Sequence, residues 1–258
     1  LRFLKKIKDE IPDIIVYYYI PPKLWVWGKK RIKKLVKADH IIVIFPWEVE
    51  FYKNNGIDVV YYGNPFLEKY DLGKFRDNNK VLLLPGSREQ EVNQIMPIFI
   101  SLIEKNPNEK YIIKFAREKD YIKYTKLEQK YQNLNIEWEK TLKEAASESK
   151  YAIAVSGTVV FELALMGVPG VVLYKTSWIN EIIVKLFIKL SYIALPNIAL
   201  SEEIYPELLQ KKCNLDEIEK SIAKIEKDYD IILKKLSKMR KSMEGTDILS
   251  KYADFLMK

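Results

Sequence analysis

The chain has 258 residues, of which 48% are hydrophobic and 30% charged. That balance excludes disordered, collagen-like and coiled-coil classes and leaves room for one large or two modest domains. Cys213 and His40 are its single cysteine and histidine, which excludes an intrachain disulfide and a Cys/His zinc cluster, forces any histidine triad through His40, and predicts a cytosolic compartment.

The net charge of +8 is uneven: residues 1–40 hold 11 Lys and Arg against 4 Asp and Glu, so this stretch carries nearly all of the excess. Leu1–Glu10 reads as the end of an amphipathic helix, and the expectation is that an N-terminal part is missing. No signal-peptide pattern and no apolar run near the ~20 residues of a membrane span is visible.

In chain order, Ile14–Ile20 predicts a strand, Lys29–Lys37 a basic helix, Ile41–Phe45 a strand, Glu48–Asn54 a short helix and Val59–Tyr62 a strand. Glu68–Lys80 is polar and reads as a linker. A second series follows: strand Lys80–Leu84, helix Arg88–Glu104, strand Tyr111–Phe115, helix Asp120–Tyr131, strand Asn135–Glu137 and helix Thr141–Ser147. Strand Tyr151–Val155, helix Thr158–Met166 and strand Val171–Tyr174 come next, and the pattern is helical from about Ser201. Strands alternating with helices over short connections predict an α/β fold with a parallel sheet covered on both faces.

Two β→α junctions could carry chemistry. In Pro85-Gly86-Ser87-Arg88, a buried strand ends in a glycine turn and opens a helix. Free N–H groups and the positive end of the helix dipole suit an anion there, and Arg88 adds a charge that grips phosphate. The plainer reading is a Ser87/Gln90 capping box with Arg88 in solvent. Ser156-Gly157-Thr158 repeats the pattern after the next buried strand. Glu162, one turn into that helix, suits ribose hydroxyls, or is a surface residue near a helix start. Neither junction matches a P-loop or a dinucleotide fingerprint. Asn197, behind Pro196, could read a sugar or a base edge, although Pro-Asn is above all a turn signal. Trp25 and Trp27 precede Lys29, Lys30 and Arg31, and suit an anionic lipid surface. A solvated face or a nucleic-acid patch are the alternatives, but no nucleic-acid motif is present. Trp178–Leu190 is apolar almost all round and reads as an interfacial helix or a buried core helix.

Four segments in order resemble the lipid-A-disaccharide synthase family of two-Rossmann-domain (GT-B) inverting glycosyltransferases. They are YIPPKLWVWGKKRIKKLVKADHIIVIFPWEVEFY, LLLPGSREQEV, AVSGTVVFELALMGVPGVVLYK and IALPNIAL, within a resemblance running from about Ile14 to Ser221. It implies transfer of a sugar from UDP-2,3-diacylglucosamine to 2,3-diacylglucosamine 1-phosphate, giving a β-1,6-linked disaccharide 1-phosphate and UDP. It implies no metal and no cofactor, the UDP-sugar being a substrate, and a location at the cytoplasmic face of the inner membrane. On this resemblance Arg88 is a functional arginine of the catalytic set. Gly86, Ser87, Ser156, Gly157 and Thr158 hold the diphosphate, Glu162 the ribose, and Asn197 lies in the cleft. Trp25, Trp27, Lys29, Lys30, Arg31 and Trp178 meet lipid.

The expected organisation is GT-B-like. Residues 1–67 are the remnant of an acceptor-side Rossmann-like domain, 68–240 a complete nucleotide-sugar domain, and 241–258 a helix crossing back. The family's Ser-Gly-Asp and Asp-x-x-Asp-Phe segments, the latter supplying a general base, are not found, so this chain is expected to bind UDP with little or no turnover. Another UDP-sugar enzyme of the same fold, or a noncatalytic basic surface module, are the alternatives. Oligomeric state is left open.

Overall fold

The computed structural model describes residues 2–25, 31–73, 75–175 and 191–257. The chain divides into two compact units, one formed by Leu1–Lys69 with Arg240–Lys258 and the other by Tyr70–Met239.

In the first unit, strands β1 (Tyr17–Tyr19) and β2 (His40–Ile42) pair in parallel, and Val60 adds one isolated bridge to Ile42. The strands expected at Ile14–Ile20 and Val59–Tyr62 are therefore shorter than their apolar runs. Asp39 contributes to this: its carboxylate accepts the Val16 N–H at 2.7 Å, so a side chain takes a donor that would otherwise extend the ladder. Helices α1 (Arg2–Glu10), α2 (Ile32–Leu35), α3 (Pro46–Lys53) and α4 (Phe66–Lys69) connect and flank these strands. Proline at the first turn suits α3, because the N–H it lacks has no helical partner there. The core gathers Leu24, Leu35, Ile41, Val43 and Tyr52. A helix from the far end of the chain, Ile248–Leu256, closes it: the Tyr252 hydroxyl lies 2.9 Å from the carbonyls of both Val43 and Gly63 and accepts the Tyr62 N–H at 3.1 Å.

The second unit holds a six-stranded, all-parallel sheet in the order β5-β4-β3-β6-β7-β8. The strands are β3 (Lys80–Leu84), β4 (Lys110–Lys114), β5 (Leu134–Glu137), β6 (Ser149–Val155), β7 (Gly170–Tyr174) and β8 (Glu207–Leu209). Val81–Leu84 and Tyr151–Val155 are buried along unbroken runs, as strands covered on both faces must be. Helix α5 (Glu89–Lys105) buries Val92, Ile95, Met96, Phe99, Leu102 and Ile103, a single stripe at helical spacing.

Two differences from the sequence reading stand out. The helix expected over Asp120–Tyr131 is two pieces, α6 (Glu118–Tyr124) and α7 (Leu127–Lys130), and between them the Thr125 hydroxyl donates to the Ile122 carbonyl, a local bond that competes with the helix ladder. The wholly helical C-terminal region instead contributes β8. Its three residues are too few for an alternating pattern, and it pairs along the free edge of β7. Trp178–Leu190 lies outside the described residues, among which no helix is long and apolar enough to cross a membrane.

Candidate nucleotide site

The strand order fixes where a ligand can sit. From β3 the chain builds outward through β4 and β5, then returns to the other side of β3 for β6, β7 and β8. The direction reverses between β3 and β6, and ligands of open α/β sheets bind at the carboxyl ends of strands at such a switch point. Leu84 pairs with Ala154, so the chain leaves both strands side by side. A cavity of about 450 Å³ opens there. Gly86, Ser87, Arg88 and Glu91 line it from the first junction, Ser156, Gly157, Thr158, Val159 and Glu162 from the second, and Lys114, Ala116 and Leu142 from neighbouring loops. A smaller cavity of about 280 Å³ shares Arg88, Glu91 and Ser156 and adds Gln90, Tyr174 and Lys175.

The two helix starts at this cavity are chemically different. At α5 the N-cap is Arg88, not Ser87, and the capping carboxylate is Glu91, not Gln90. Glu91 Oε2 accepts the N–H groups of Ser87 and Arg88 at 3.1 and 3.2 Å, and Oε1 accepts Arg88 Nη1 at 2.7 Å. An internal carboxylate thus fills the place of an external anion. Gly86 makes this possible: its φ is +102°, and a Cβ there would come within 2.6 Å of Glu91 Oε2. Helix α9 (Thr158–Met166) starts instead at Gly157, with no side-chain cap and no acidic residue in its first turn. A Cβ on Gly157 would meet nothing within 4 Å. The positive end of α9 is therefore open to the cavity with space above it for an anion. A third helix, α8 (Leu142–Ser147), closes its own start through a Thr141/Glu144 capping box.

Glu162 lies one turn inside α9 on the cavity wall, and its Oε2 accepts a hydrogen bond from the hydroxyl of buried Tyr70. At the end of β4, the Lys114 ammonium donates to the carbonyls of Phe115 and Trp138 at 3.2 and 3.4 Å. Burial lowers its pKa, and the nearby Glu137 carboxylate opposes the shift. The sequence reading missed Lys114, Leu142, Glu91 and Tyr70. The adjacency of β4 to β3 would have pointed to Lys114, and an acidic residue three positions into the helix to Glu91.

Asn197, expected in the cleft, does not join this group. It is fully buried on a helix spanning Leu195–Leu200. Its amide nitrogen donates to the Tyr205 carbonyl and Glu207 Oε1, both at 2.8 Å, while its oxygen accepts the N–H groups of Ile204 and Tyr205. Glu207 in turn accepts the N–H groups of Ile193 and Ala194, and burial raises its pKa against those bonds. The Asn197 side-chain amide thus clamps β8, with both its N–H groups and its oxygen bonded inside the protein.

Trp25 is half-buried; its indole N–H donates to Glu48 Oε1 at 3.2 Å and its ring packs edge-on against Trp47. Arg31 is exposed ahead of α2. Trp27, Lys29, Lys30 and Trp178 lie outside the described residues. Among the described residues, no group of three or more His, Cys, Asp or Glu side chains is gathered as a metal site.

Comparison with known proteins gives these features a family. The sequence matches the Lipid-A-disaccharide synthetase family over residues 1–253. It is 33% identical to the lipid-A-disaccharide synthase of Francisella tularensis subsp. novicida (strain U112), an alignment covering 88% of this chain and 66% of the relative. The chain thus spans just under two thirds of the length of the curated relatives it matches. Its fold is similar to that of a UDP-GlcNAc 2-epimerase from Neisseria meningitidis bound to UDP-GlcNAc (TM-score 0.58, 14% identity, 94% of this chain and 68% of the other). It is also similar to S. aureus MnaA with UDP (TM-score 0.57, 12% identity, 99% and 78%). The fold is therefore α/β and GT-B-like, and the chain belongs to the lipid-A-disaccharide synthetase family.

Proposed function

We propose that this chain carries the donor-binding machinery of an inverting glycosyltransferase that joins UDP-2,3-diacylglucosamine to 2,3-diacylglucosamine 1-phosphate. The observation that supports it most is the convergence of the junctions after β3 and β6 on one cavity, with the uncapped start of α9 facing it. The diphosphate lies over Ser156, Gly157 and Thr158, where N–H groups and the helix dipole favour negative charge. Arg88 reaches it from the other junction. Glu162 accepts the ribose hydroxyls, and Lys114, Ala116 and Leu142 border the base. The sugar on the distal phosphate extends into the smaller cavity beside Tyr174 and Lys175.

Catalysis in this reading is chiefly stabilisation of the leaving group. The acceptor hydroxyl attacks the anomeric carbon of the donor sugar, and the bond from that carbon to the diphosphate oxygen breaks with inversion. The hydroxyl proton passes to a base, and UDP departs with the bonding electrons. Charge grows on the diphosphate as the bond breaks, and donors already fixed at α9 and Arg88 stabilise that charge without reorganising. The exposed basic residues around α2 supply a surface for the inner-membrane lipids that carry such substrates. No nucleic-acid partner is proposed.

Calorimetric titration of UDP into wild type and Glu162→Ala tests the reading. Loss of hydrogen bonds to a charged group costs about 1.5–3 kcal/mol, so the variant is expected to bind at least ten-fold more weakly. Equal affinity would remove Glu162 from the site.

A further inference from the structure

We propose that Tyr70 is a positioning residue for nucleotide recognition: its buried hydroxyl holds the Glu162 carboxylate in the orientation that reads the ribose. The proposal rests on the reading that Glu162 takes the ribose hydroxyls, and goes beyond it by assigning what aims that carboxylate. A glutamate has three rotatable side-chain bonds. One projecting into an open cavity samples many orientations, and each must be given up when a ligand binds. Here Tyr70, only 3% exposed, donates its hydroxyl to Glu162 Oε2. Such a bond to an ionised carboxylate is among the stronger hydrogen bonds a neutral side chain can make.

The tyrosine is itself fixed. Three residues on, the Gly73 N–H donates to the Met166 carbonyl at 2.9 Å, near the end of α9. Between them, Leu72 packs so closely on Gly167 that a Cβ there would lie 3.2 Å from Leu72 Cδ2. The Tyr70–Gly73 segment thus runs along α9 and is fastened to it from Glu162 to the C-cap. The chemistry of the donor also matters. A Lys or Arg at this place would orient the carboxylate but neutralise it. A phenol orients it and leaves its full charge, with Oε1 and the second lone pair of Oε2 available to two ribose hydroxyls.

The test compares UDP with 2′,3′-dideoxy-UDP, by calorimetry, on the full chain as wild type, Tyr70→Phe, Glu162→Gln and the double variant. Wild type is expected to prefer UDP by roughly ten-fold or more, the size of a charged hydrogen bond. In Tyr70→Phe the preference is expected to shrink to about three-fold or less, through weaker UDP binding with dideoxy-UDP unchanged, because what is lost is orientation of a single carboxylate. The double variant should match Glu162→Gln alone. If Tyr70→Phe does not fold, Tyr70→Met fills similar apolar space without a hydroxyl and takes its place. Should the Tyr70 variants keep the wild-type preference while Glu162→Gln loses it, the positioning role is wrong and the ribose reading stands. Should Glu162→Gln also keep the preference, or wild type show none, both fall together.

Discussion

Arg88 meets the cavity with its side chain 81% exposed, paired to Glu91 at 2.7 Å. Exposed ion pairs of this kind hold little free energy, about 0–1 kcal/mol. A diphosphate carrying more than one negative charge can therefore draw the guanidinium away from Glu91 at small cost. Arg88→Ala is expected to weaken UDP roughly ten-fold while leaving uridine unchanged, since a charged hydrogen bond is worth about 1.5–3 kcal/mol and uridine offers no phosphate. Competition between the two ligands measures this, and parallel losses for both would show that Arg88 merely shapes the loop. Arg88, Ser156, Gly157, Thr158 and Glu162 were legible in the sequence because each stands at a short, fixed offset from the end of a buried strand. Tyr70 was not, since it falls in a stretch whose polar composition reads as linker, 92 residues from the carboxylate it touches. Asn197 misled for the opposite reason. Proline followed by an amide looks the same whether the amide faces a ligand or four backbone and side-chain partners inside the protein.

At the scale of elements, the contrast between α5 and α9 decides where an anion goes. One start is closed by its own Glu91, the other begins at a bare glycine. Gly157→Ala places a methyl group in open cavity space and its backbone is extended, so melting temperature should hold while UDP affinity falls. Gly86→Ala meets both a positive φ and Glu91, and should instead destabilise the fold. A melting curve and a UDP titration on each variant separate the two roles. Affinity retained by Gly157→Ala would argue that the diphosphate lies elsewhere. The clamp around Asn197 makes the complementary prediction. Asn197→Ala strands several buried groups at about 1–3 kcal/mol each. It should lower the melting temperature with UDP affinity per folded molecule unchanged. Helix boundaries were legible where glycines bracket an apolar run, as Gly157 and the left-handed Gly167 bracket α9. Short pieces held by tertiary partners, such as β8 and the bridge at Val60, carry no periodicity of their own and were misread or overextended.

For the whole molecule, chain order and charge carry different information. Alternation of strands and helices made the parallel sheet legible, but the strand order that creates the switch point is a tertiary fact. The charge asymmetry is borne in part by α2, which buries Ile32 and Leu35 and leaves Lys33 and Lys34 exposed; just past it Val36 is 59% exposed and Lys37 pairs with Asp9 at 3.0 Å. A basic face with an exposed apolar side chain suits an anionic lipid surface, with about 1 kcal/mol per basic residue near it. Vesicles containing anionic lipid are expected to bind the chain with steep salt dependence. Lys33→Glu with Lys34→Glu should abolish that binding while UDP affinity is unchanged; binding indifferent to those changes would reassign the face to solvent. The nucleotide cavity at the β3/β6 switch point underlies all of these effects, and a crystal structure of the chain with UDP shows what it holds. Phosphate oxygens are expected within hydrogen-bond distance of the N–H groups of Gly157 and Thr158, and ribose hydroxyls on Glu162. UDP bound away from both junctions would contradict that placement.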